Sequence, residues 1–392
     1  MKAARCLPLV WLALACSGGE GGPRTGRGSA GTLGAGASAG TNAVASGGTG
    51  NTTGAANNAG SGGVPSAGGT AGSGPSGGGD AGGSGGGGGL VDSGPLARPG
   101  QRTVVYLPDY RGALATWTAK IDYSRISYLN LCFANVDAAG NVSYADTGLD
   151  TFVAAAHAKG VKVCVAIGGG SIVETGGVYA TVLQDATRST LVNALGQFAV
   201  DHQLDCIDVD LEGNGVNQFY EAFVTELATK LHADKKEMTS AVSSWFGDKI
   251  TDKAIQAFDF MNIMAYDLHN PGGATQPVQS ASIADATQEV DYWVGRGLAK
   301  SKAVFGVPFY GYRWQGGAKG EALTYAEILA QSPMAATQDQ VEIAGNTVYL
   351  NSKTTIAAKA VLAKTYGGIM VWELGQDAVG DASLLKAIAD VK

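Results

Sequence analysis

Three acidic side chains alternate with apolar ones in a short segment near the middle of the chain. Asp208, Asp210 and Glu212 occupy every second position towards the end of the run Leu204–Gly213, and the residues between them are Val and Leu. Alternate residues of a β-strand point to the same side, so the three carboxyl groups share one face. The apolar residues share the other face, which predicts that they pack against helices while the acids point inward.

Carboxyl groups this close together should disturb one another's ionisation. Neighbours on one strand face are about 6.6 Å apart, from two residues of roughly 3.3 Å each. Like charges at that distance in a partly dry site cannot all ionise freely, so at least one acid should hold a proton at neutral pH. Glu212 comes last and is best placed to donate a proton to a substrate, and Asp210 can orient or polarise a group beside it.

Two other interpretations of these acids stay open from the residues alone. They could lie on a solvated edge strand, although the residues between them are apolar. They could also bind Mg²⁺ or Ca²⁺, which prefer carboxylate oxygens, although no acidic or histidine cluster lies near the other strand ends. We therefore predict acid–base chemistry with no metal and no other cofactor.

The elements that position the acids follow from the alternation of strand-like and helix-like segments. Eight short runs rich in apolar and β-branched residues are separated by stretches of helical period, which predicts a (β/α)8 TIM barrel with its chemistry at the carboxyl ends of the strands. The predicted strands are Thr103–Leu107, Tyr128–Val136, Lys162–Ile167, Cys206–Leu211, Glu237–Val242, Phe260–Ala265, Ala303–Pro308 and Gly368–Trp372. The longest excursion, Phe309–Asn351, contains a predicted helix Thr324–Ala330 and hairpin Val341–Tyr349, a small elaboration of one domain, 101–392.

A set of motifs resembles one known enzyme family. Asp205-x-x-Asp208-x-Asp210-x-Glu212 is the DxxDxDxE signature of the family 18 glycoside hydrolases, the chitinase family. Four further segments resemble the family's SxGG, MxYD, GxPxYG and GGxMxWE motifs in the same order, over about 270 residues. They are Ala166–Gly169, Met264–Asp267, Gly306–Gly311 and Gly368–Glu373.

The resemblance implies roles for the acids. Glu212 would be the general acid and base, Asp210 would orient the N-acetyl group of the substrate, and Asp208 would share a proton with Asp210. In this family the substrate's own acetamido oxygen attacks C1 and gives an oxazolinium-like intermediate, so hydrolysis retains the anomeric configuration without an enzyme nucleophile.

It also implies roles for residues at other strand ends. Tyr266 would hydrogen-bond the acetamido group, Asp267 a sugar hydroxyl, and Trp372 would form the floor of subsite −1. Further substrate-binding positions, for which plain core packing stays an open alternative, are Met264, Tyr106, Phe133 and Tyr310. The resemblance also implies cis peptide bonds at Cys132–Phe133 and Trp372–Glu373.

The chain departs from the family pattern at several positions. Ala166 stands where the family has serine, and the loss of that hydroxyl predicts a shorter chain of hydrogen bonds to the acids. Leu211 and Gly213 stand where many chitinases have Trp and Tyr, which leaves the flank of the acid and its leaving-group side undefined. Arg313 is displaced by one residue from the arginine of the family's YGR motif.

Cysteine and histidine usage gives no sign of a metal site. Cys132, Cys164 and Cys206 have neither CxxC spacing nor an even count, so we expect three buried free thiols. The four histidines are widely spaced.

The first 100 residues predict export and a flexible tether. Met1–Cys16 has a basic start and nine apolar residues, typical of a signal peptide. Ala15 before Cys16 resembles a bacterial lipoprotein site with Cys16 lipidated; an ordinary secretion signal is the alternative. Residues 17–100 contain no aromatic residue and much of the chain's glycine, 33 of 60 residues falling in the first 100, which predicts a disordered linker reaching about 50 Å.

The charge of the remaining chain narrows the partners. Residues 101–392 carry a net charge of −9, which disfavours binding to nucleic acid or to an anionic membrane surface. We expect a monomer that is exported and anchored by lipid to the outer membrane or cell surface, or otherwise secreted.

The expected activity is hydrolysis of β-1,4 N-acetylglucosamine linkages in chitin or chito-oligosaccharides. The alternatives are an endo-β-N-acetylglucosaminidase that acts on N-glycans and a non-catalytic chitin-binding lectin. Specificity would depend on loops such as Gly169–Ala180 and His269–Ser280.

Overall fold

The computed structural model describes residues 101–271, 273–316 and 320–391. Eight parallel strands form a closed barrel, because the first strand pairs with both the second and the last. The strands are β1 Arg102–Pro108, β2 Tyr128–Val136, β3 Lys162–Gly168, β4 Cys206–Asp210, β5 Glu237–Val242, β6 Phe260–Ile263, β7 Ala303–Pro308 and β8 Gly368–Trp372. The predicted TIM barrel is confirmed.

Helices surround the barrel and connect its strands. Several begin at a hydroxyl residue that caps the first turn, such as Ser282, which accepts a hydrogen bond from Asp285 N, and Ser352, which accepts one from Thr355 N. The helices are α1 Leu114–Thr118, α2 Leu149–His157, α3 Tyr179–Val182, α4 Arg188–Asp201, α5 Tyr220–Ala233, α6 Asp252–Ala257, α7 Ile283–Gly295, α8 Tyr325–Gln331, α9 Lys353–Ala363 and α10 Leu384–Ala389.

Alternation along the strands divides the core into two layers. In β4, Ile207 and Val209 pack in the outer apolar layer between strands and helices, whereas Cys206 belongs to the cluster inside the barrel. Asp208 and Asp210 lie on the Cys206 face and are 0% and 3% exposed. The predicted inward direction of the acids is therefore confirmed.

The excursion after β7 is more regular than predicted. Its helix is α8, and its hairpin is formed by two strands, but two further strands make a four-stranded antiparallel sheet, which we call the appended sheet. The strands of the appended sheet are Tyr310–Trp314, Gly320–Thr324, Gln340–Ile343 and Asn346–Tyr349. The alternating aromatic residues 310, 312 and 314 give the first strand of the appended sheet a buried side. In the sequence Tyr310 falls in a family motif, and this strand was not predicted.

The expectation of three free thiols is wrong for two of them. Cys164 and Cys206 form a disulfide, and Cys132 is free and buried. Cys164 and Cys206 are register partners on neighbouring strands β3 and β4, and both side chains face the barrel interior. This pairing depends on the strand register, which residue spacing along the chain does not reveal.

The predicted signal peptide, the lipidation site Cys16 and the linker 17–100 lie outside the described residues. Among the residues that the structure does describe, no helix is long and apolar enough to cross a bilayer.

Candidate active site

The site is built where β4 and its neighbour β3 end. The chain remains extended through Glu212, so its side chain continues the alternation of Asp208 and Asp210. Gly169 N donates a hydrogen bond of 2.7 Å to Asp210 O. Gly168 has φ +103°, and a Cβ there would clash with Asp210 O. The two glycines therefore allow the β3 turn to close against the acids.

Asp208 lies deepest and accepts hydrogen bonds from three other strands of the barrel. Tyr106 Oη on β1 donates to Oδ2 at 2.7 Å, Thr239 Oγ1 on β5 donates to Oδ1 at 2.5 Å, and Asn262 Nδ2 on β6 lies 3.3 Å from Oδ1. Burial raises the pKa of Asp208, and these hydrogen bonds oppose that rise by stabilising the carboxylate.

Asp210 lies between the other two acids and is poorly satisfied. Its Oδ1 is buried and makes no hydrogen bond to any of the described residues. Burial raises the pKa of Asp210 well above its ordinary value, and the nearby charges of Glu212 and Asp208 raise it further. Burial and the two neighbouring acids therefore both favour the protonated form of Asp210.

Glu212 is partly buried at the mouth of the barrel. A Cβ placed on Gly170 would lie 3.6 Å from Oε1 of Glu212, so the carboxyl group lies beside the turn that follows β3. Burial, helped by the charge of Asp267, raises the pKa of Glu212 to about 7. A carboxyl group with this pKa can donate a proton near neutral pH and take one back later.

Asp267 is held by two tyrosines of the appended sheet. Tyr310 Oη donates to Oδ2 at 2.9 Å, and Tyr312 Oη donates to Oδ1 at 3.0 Å. Burial raises the pKa of Asp267 to about 6, although both hydrogen bonds lower it. The appended sheet thus contributes directly to the site, and its attachment holds the carboxylate that influences Glu212.

Aromatic side chains surround the acids. The ring of Trp372 lies 5.4 Å from that of Tyr106 and 6.4 Å from that of Phe133, measured between centroids. Tyr266 is buried with its Oη 3.9 Å from Sδ of Met370. Met264 packs partly buried beside the interior cluster. The peptide bonds Cys132–Phe133 and Trp372–Glu373 are cis, as the family resemblance implied.

The structure thus gathers every predicted site residue within 101–391 at one end of the barrel. Two other residues that the sequence analysis singled out lie elsewhere. Asp205, the first acid of the motif, precedes β4 at the opposite end, where it accepts hydrogen bonds from Val163 N at 2.7 Å and His157 Nε2 at 2.8 Å. Arg313 pairs with Glu321 within the appended sheet at 2.6 Å.

Thr239, Asn262 and Tyr312 are site residues that the sequence analysis missed. Thr239 and Asn262 are polar residues on the inward faces of β5 and β6, and that position is the signal that could have identified them. Thr239 also corrects the expectation drawn from Ala166. Ala166 and Thr239 are the two register partners of Asp208, one on each side, so β5 supplies the hydroxyl that β3 lacks.

The acids of β4 are not joined by further metal-ligating side chains in the part of the chain that the structure describes. No group of three or more His, Cys, Asp and Glu side chains there is placed to hold a metal ion. Both oxygens of Asp208 accept hydrogen bonds from protein donors.

Comparison with known proteins agrees with this geometry. The chain is 30% identical over 225 residues to a chitinase-like effector of Moniliophthora roreri. The aligned part covers 50% of this chain and 54% of that relative, so the chain spans about half the length of this curated relative. The structure superposes on a chitinase of Flavobacterium johnsoniae with a TM-score of 0.67 and 31% identity, covering 74% of this chain and 93% of that one.

A chitinase structure from Bacteroides thetaiotaomicron gives a TM-score of 0.60 and 26% identity, over 74% of this chain and 95% of that one. The model of the family described as glycosyl hydrolases family 18 matches residues 102–377, a span that begins with β1 and ends just after β8. The chain therefore belongs to family 18 of the glycosyl hydrolases.

Proposed function

We propose that the protein hydrolyses β-1,4 N-acetylglucosamine linkages in chitin or chito-oligosaccharides by a substrate-assisted, retaining mechanism. The observation that carries the proposal is the acid set: Glu212 has a pKa of about 7 beside Asp210, whose Oδ1 is buried without a hydrogen bond to the described residues. The chitinase structures to which the chain is similar support the substrate class.

In the first step, protonated Glu212 donates its proton to the glycosidic oxygen as the bond from C1 to that oxygen breaks. The acetamido oxygen of the same sugar forms a new bond to C1 from the opposite face, so no enzyme nucleophile is needed. In the second step, water adds to C1 and the bond to the acetamido oxygen breaks. Glu212, now ionised, takes the proton of that water and returns to its starting state.

Asp210 and Asp208 act on the acetamido group. The unsatisfied Oδ1 of Asp210 is placed to accept a hydrogen bond from the acetamido N–H and to hold its oxygen towards C1. The acetamido group gains positive charge as it attacks, and the buried carboxyl pair stabilises that charge better than water would, because its position is fixed beforehand. Tyr106 and Thr239 keep Asp208 in place through their hydroxyl groups.

The pKa of Glu212 predicts how activity depends on pH. The acid must be protonated at the start, so kcat/KM should fall as pH rises through about 7.

The charge of Asp267 contributes to the raised pKa of Glu212, so Asp267→Asn should lower that pKa and move the fall in kcat/KM to lower pH. Initial rates between pH 5 and 9 measure the shift. Asp201→Asn, at the end of α4 and before β4, is the matched control. If the pH profile of Asp267→Asn is the same as that of the wild type, the influence of Asp267 on the pKa of Glu212 is contradicted.

Thr239 provides a test of the corrected hydrogen-bond network. Thr239→Val keeps the shape of the side chain but removes the donor to buried Asp208, which should lower kcat about 10-fold, the effect of a hydrogen bond to a charged group. Thr239→Ser restores the hydroxyl and should recover most of the rate. Steady-state kinetics measure the effect on kcat, and a thermal unfolding curve shows separately whether the variant is less stable. A loss of rate in the Ser variant, with the rate retained in the Val variant, would show that methyl packing, not the hydroxyl, matters here.

Binding without catalysis is the second candidate, because one relative is described as a chitinase-like effector. The retained Glu212 argues for catalysis. Products formed from chitohexaose and from an N-glycosylated protein decide among the candidates: shorter oligosaccharides indicate a chitinase, a released N-glycan indicates the endo-β-N-acetylglucosaminidase, and neither product with retained binding indicates a lectin.

We also propose that the protein is exported and that lipidated Cys16 and the segment 17–100 tether the barrel to the cell. A tether of about 50 Å would let an anchored enzyme reach an insoluble polymer. Cys16→Ser should move the protein from the membrane fraction to the soluble fraction, as judged by immunoblotting. A protein that remains with the membrane in this variant would contradict lipid anchoring.

A further inference from the structure

An exposed tryptophan lies beside Gly213, the residue that follows the proposed general acid. Trp245 is the second residue of the helical turn Ser244–Lys249, which follows β5, and it is 40% exposed. Its indole packs edge-on against the buried ring of Phe246, with ring centroids 4.8 Å apart. Among the described residues, Trp245 and Tyr110 are the exposed large aromatic side chains, so each leaves apolar surface open at this end of the barrel.

Gly213 explains how Trp245 comes so close to the backbone that follows Glu212. Gly213 follows Glu212 directly and has φ +54°. A Cβ there would lie 2.6 Å from Val173 O and 3.1 Å from Cη2 of Trp245. The indole therefore lies against the backbone next to the acid, in the space that a side chain at position 213 would otherwise require.

Lys249 connects the turn Ser244–Lys249 to the turn that follows Glu212. Its Nζ donates hydrogen bonds to Gly213 O at 2.7 Å and to Asn214 Oδ1 at 3.0 Å. The turn that carries Trp245 is thereby attached to the turn that follows Glu212. This attachment holds the position of the indole relative to the acid.

The barrel topology relates the positions of the two exposed aromatic side chains. In a ring of eight strands, β1 and β5 lie on opposite sides. Tyr110 follows β1 and is linked to the Trp372 side, since neighbouring Arg111 pairs with Glu373 at 2.6 Å. Trp245 follows β5 and lies on the Glu212 side. A sugar chain that crosses the mouth from Trp372 past Glu212 therefore leads towards Trp245.

We propose that Trp245 is a specificity-determining residue that stacks against the sugar on the leaving-group side of the cleaved bond. The inference rests on the proposed function, in which Glu212 protonates the oxygen of that leaving sugar. An indole face suits the apolar face of a pyranose ring, and partial exposure with a fixed position is what a stacking surface requires. The absence of a side chain at Gly213 lets the indole lie this close to the backbone that follows the acid.

The test compares two substrates in the full chain. Chitohexaose must place sugars on the leaving-group side, whereas chitobiose oxazoline has no leaving sugar. Trp245→Ala should lower the ratio of kcat/KM for chitohexaose to that for the oxazoline by about 10-fold, the scale of one lost aromatic contact. Trp245→Phe should restore most of the ratio. Val361→Ala, which trims an exposed residue of α9, should leave it unchanged.

The outcomes separate this inference from the proposed function. A ratio that Trp245→Ala leaves unchanged, through no loss or through equal loss on both substrates, would overturn the inference even if the wild type is active. A wild type that cleaves neither substrate would contradict the proposed function instead. In that case calorimetric binding of chitohexaose still decides: Trp245→Ala should weaken it about 10-fold, and unchanged affinity would overturn the inference.

Discussion

Replacement of Glu212 by Gln is expected to lower kcat for chito-oligosaccharide hydrolysis by about 10²- to 10⁴-fold, the usual contribution of a positioned general acid. The amide has the same shape but has no acidic proton to give to the glycosidic oxygen. It also cannot take the proton of the attacking water. Substrate binding and the unfolding temperature should change little, because glutamine has the same shape as glutamate. The substitution also removes an acid that lies near the acids Asp210 and Asp267, so it adds no unfavourable charge to the site.

Initial rates on chitohexaose, together with calorimetric binding, measure this effect. Glu226→Gln is the matched control, because Glu226 forms a surface ion pair with Arg188 on the outer helices and such pairs contribute little. Undiminished turnover by Glu212→Gln would contradict the mechanism. A loss of both binding and stability would instead indicate a structural role for Glu212.

The second large effect concerns the substrate. Oligosaccharides that lack the N-acetyl group should be cleaved at least about 10³-fold more slowly, because the nucleophile itself is missing and an intramolecular attack is worth several powers of ten in rate. Cellohexaose has the same β-1,4 backbone as chitohexaose, with a hydroxyl in place of each acetamido group. Rates on these two substrates under identical conditions provide the measurement.

A variant of Tyr266 controls for simple loss of affinity. Tyr266 is proposed to hydrogen-bond the acetamido group, so Tyr266→Phe should slow chitohexaose cleavage and leave the residual rate on cellohexaose unaltered. Efficient cleavage of cellohexaose by the wild type would contradict substrate assistance. It would require either a nucleophile from the protein or direct attack by water on C1.

The sequence predicted the fold and the direction of the acids because both depend on local alternation. A strand has a period of two, so apolar residues at 207 and 209 required Asp208 and Asp210 to face inward, and the structure agrees. Because the strands end at one edge of the barrel, Tyr266 and Trp372 then lie near the three acids. These are consequences of period and topology, which a single sequence contains.

Contacts between strands could not be predicted in the same way. The pairing of Cys164 with Cys206 and the contacts of Asp208 with Thr239 and Asn262 depend on register between strands. A shift of one residue in register would separate each pair, and nothing along the chain specifies that shift. Trp245 was missed for a related reason, because its relation to Glu212 depends on a turn around Gly213.

The anomeric form of the first products tests the central claim most directly. Full-length protein is mixed with chitohexaose, and proton NMR or rapid chromatography identifies the anomers of the shorter oligosaccharides before they equilibrate. Attack by the acetamido oxygen followed by water inverts C1 twice, so we predict β-anomers from the wild type and no early products from Glu212→Gln. Newly formed α-anomers, or no shorter oligosaccharides from the wild type, would contradict the account.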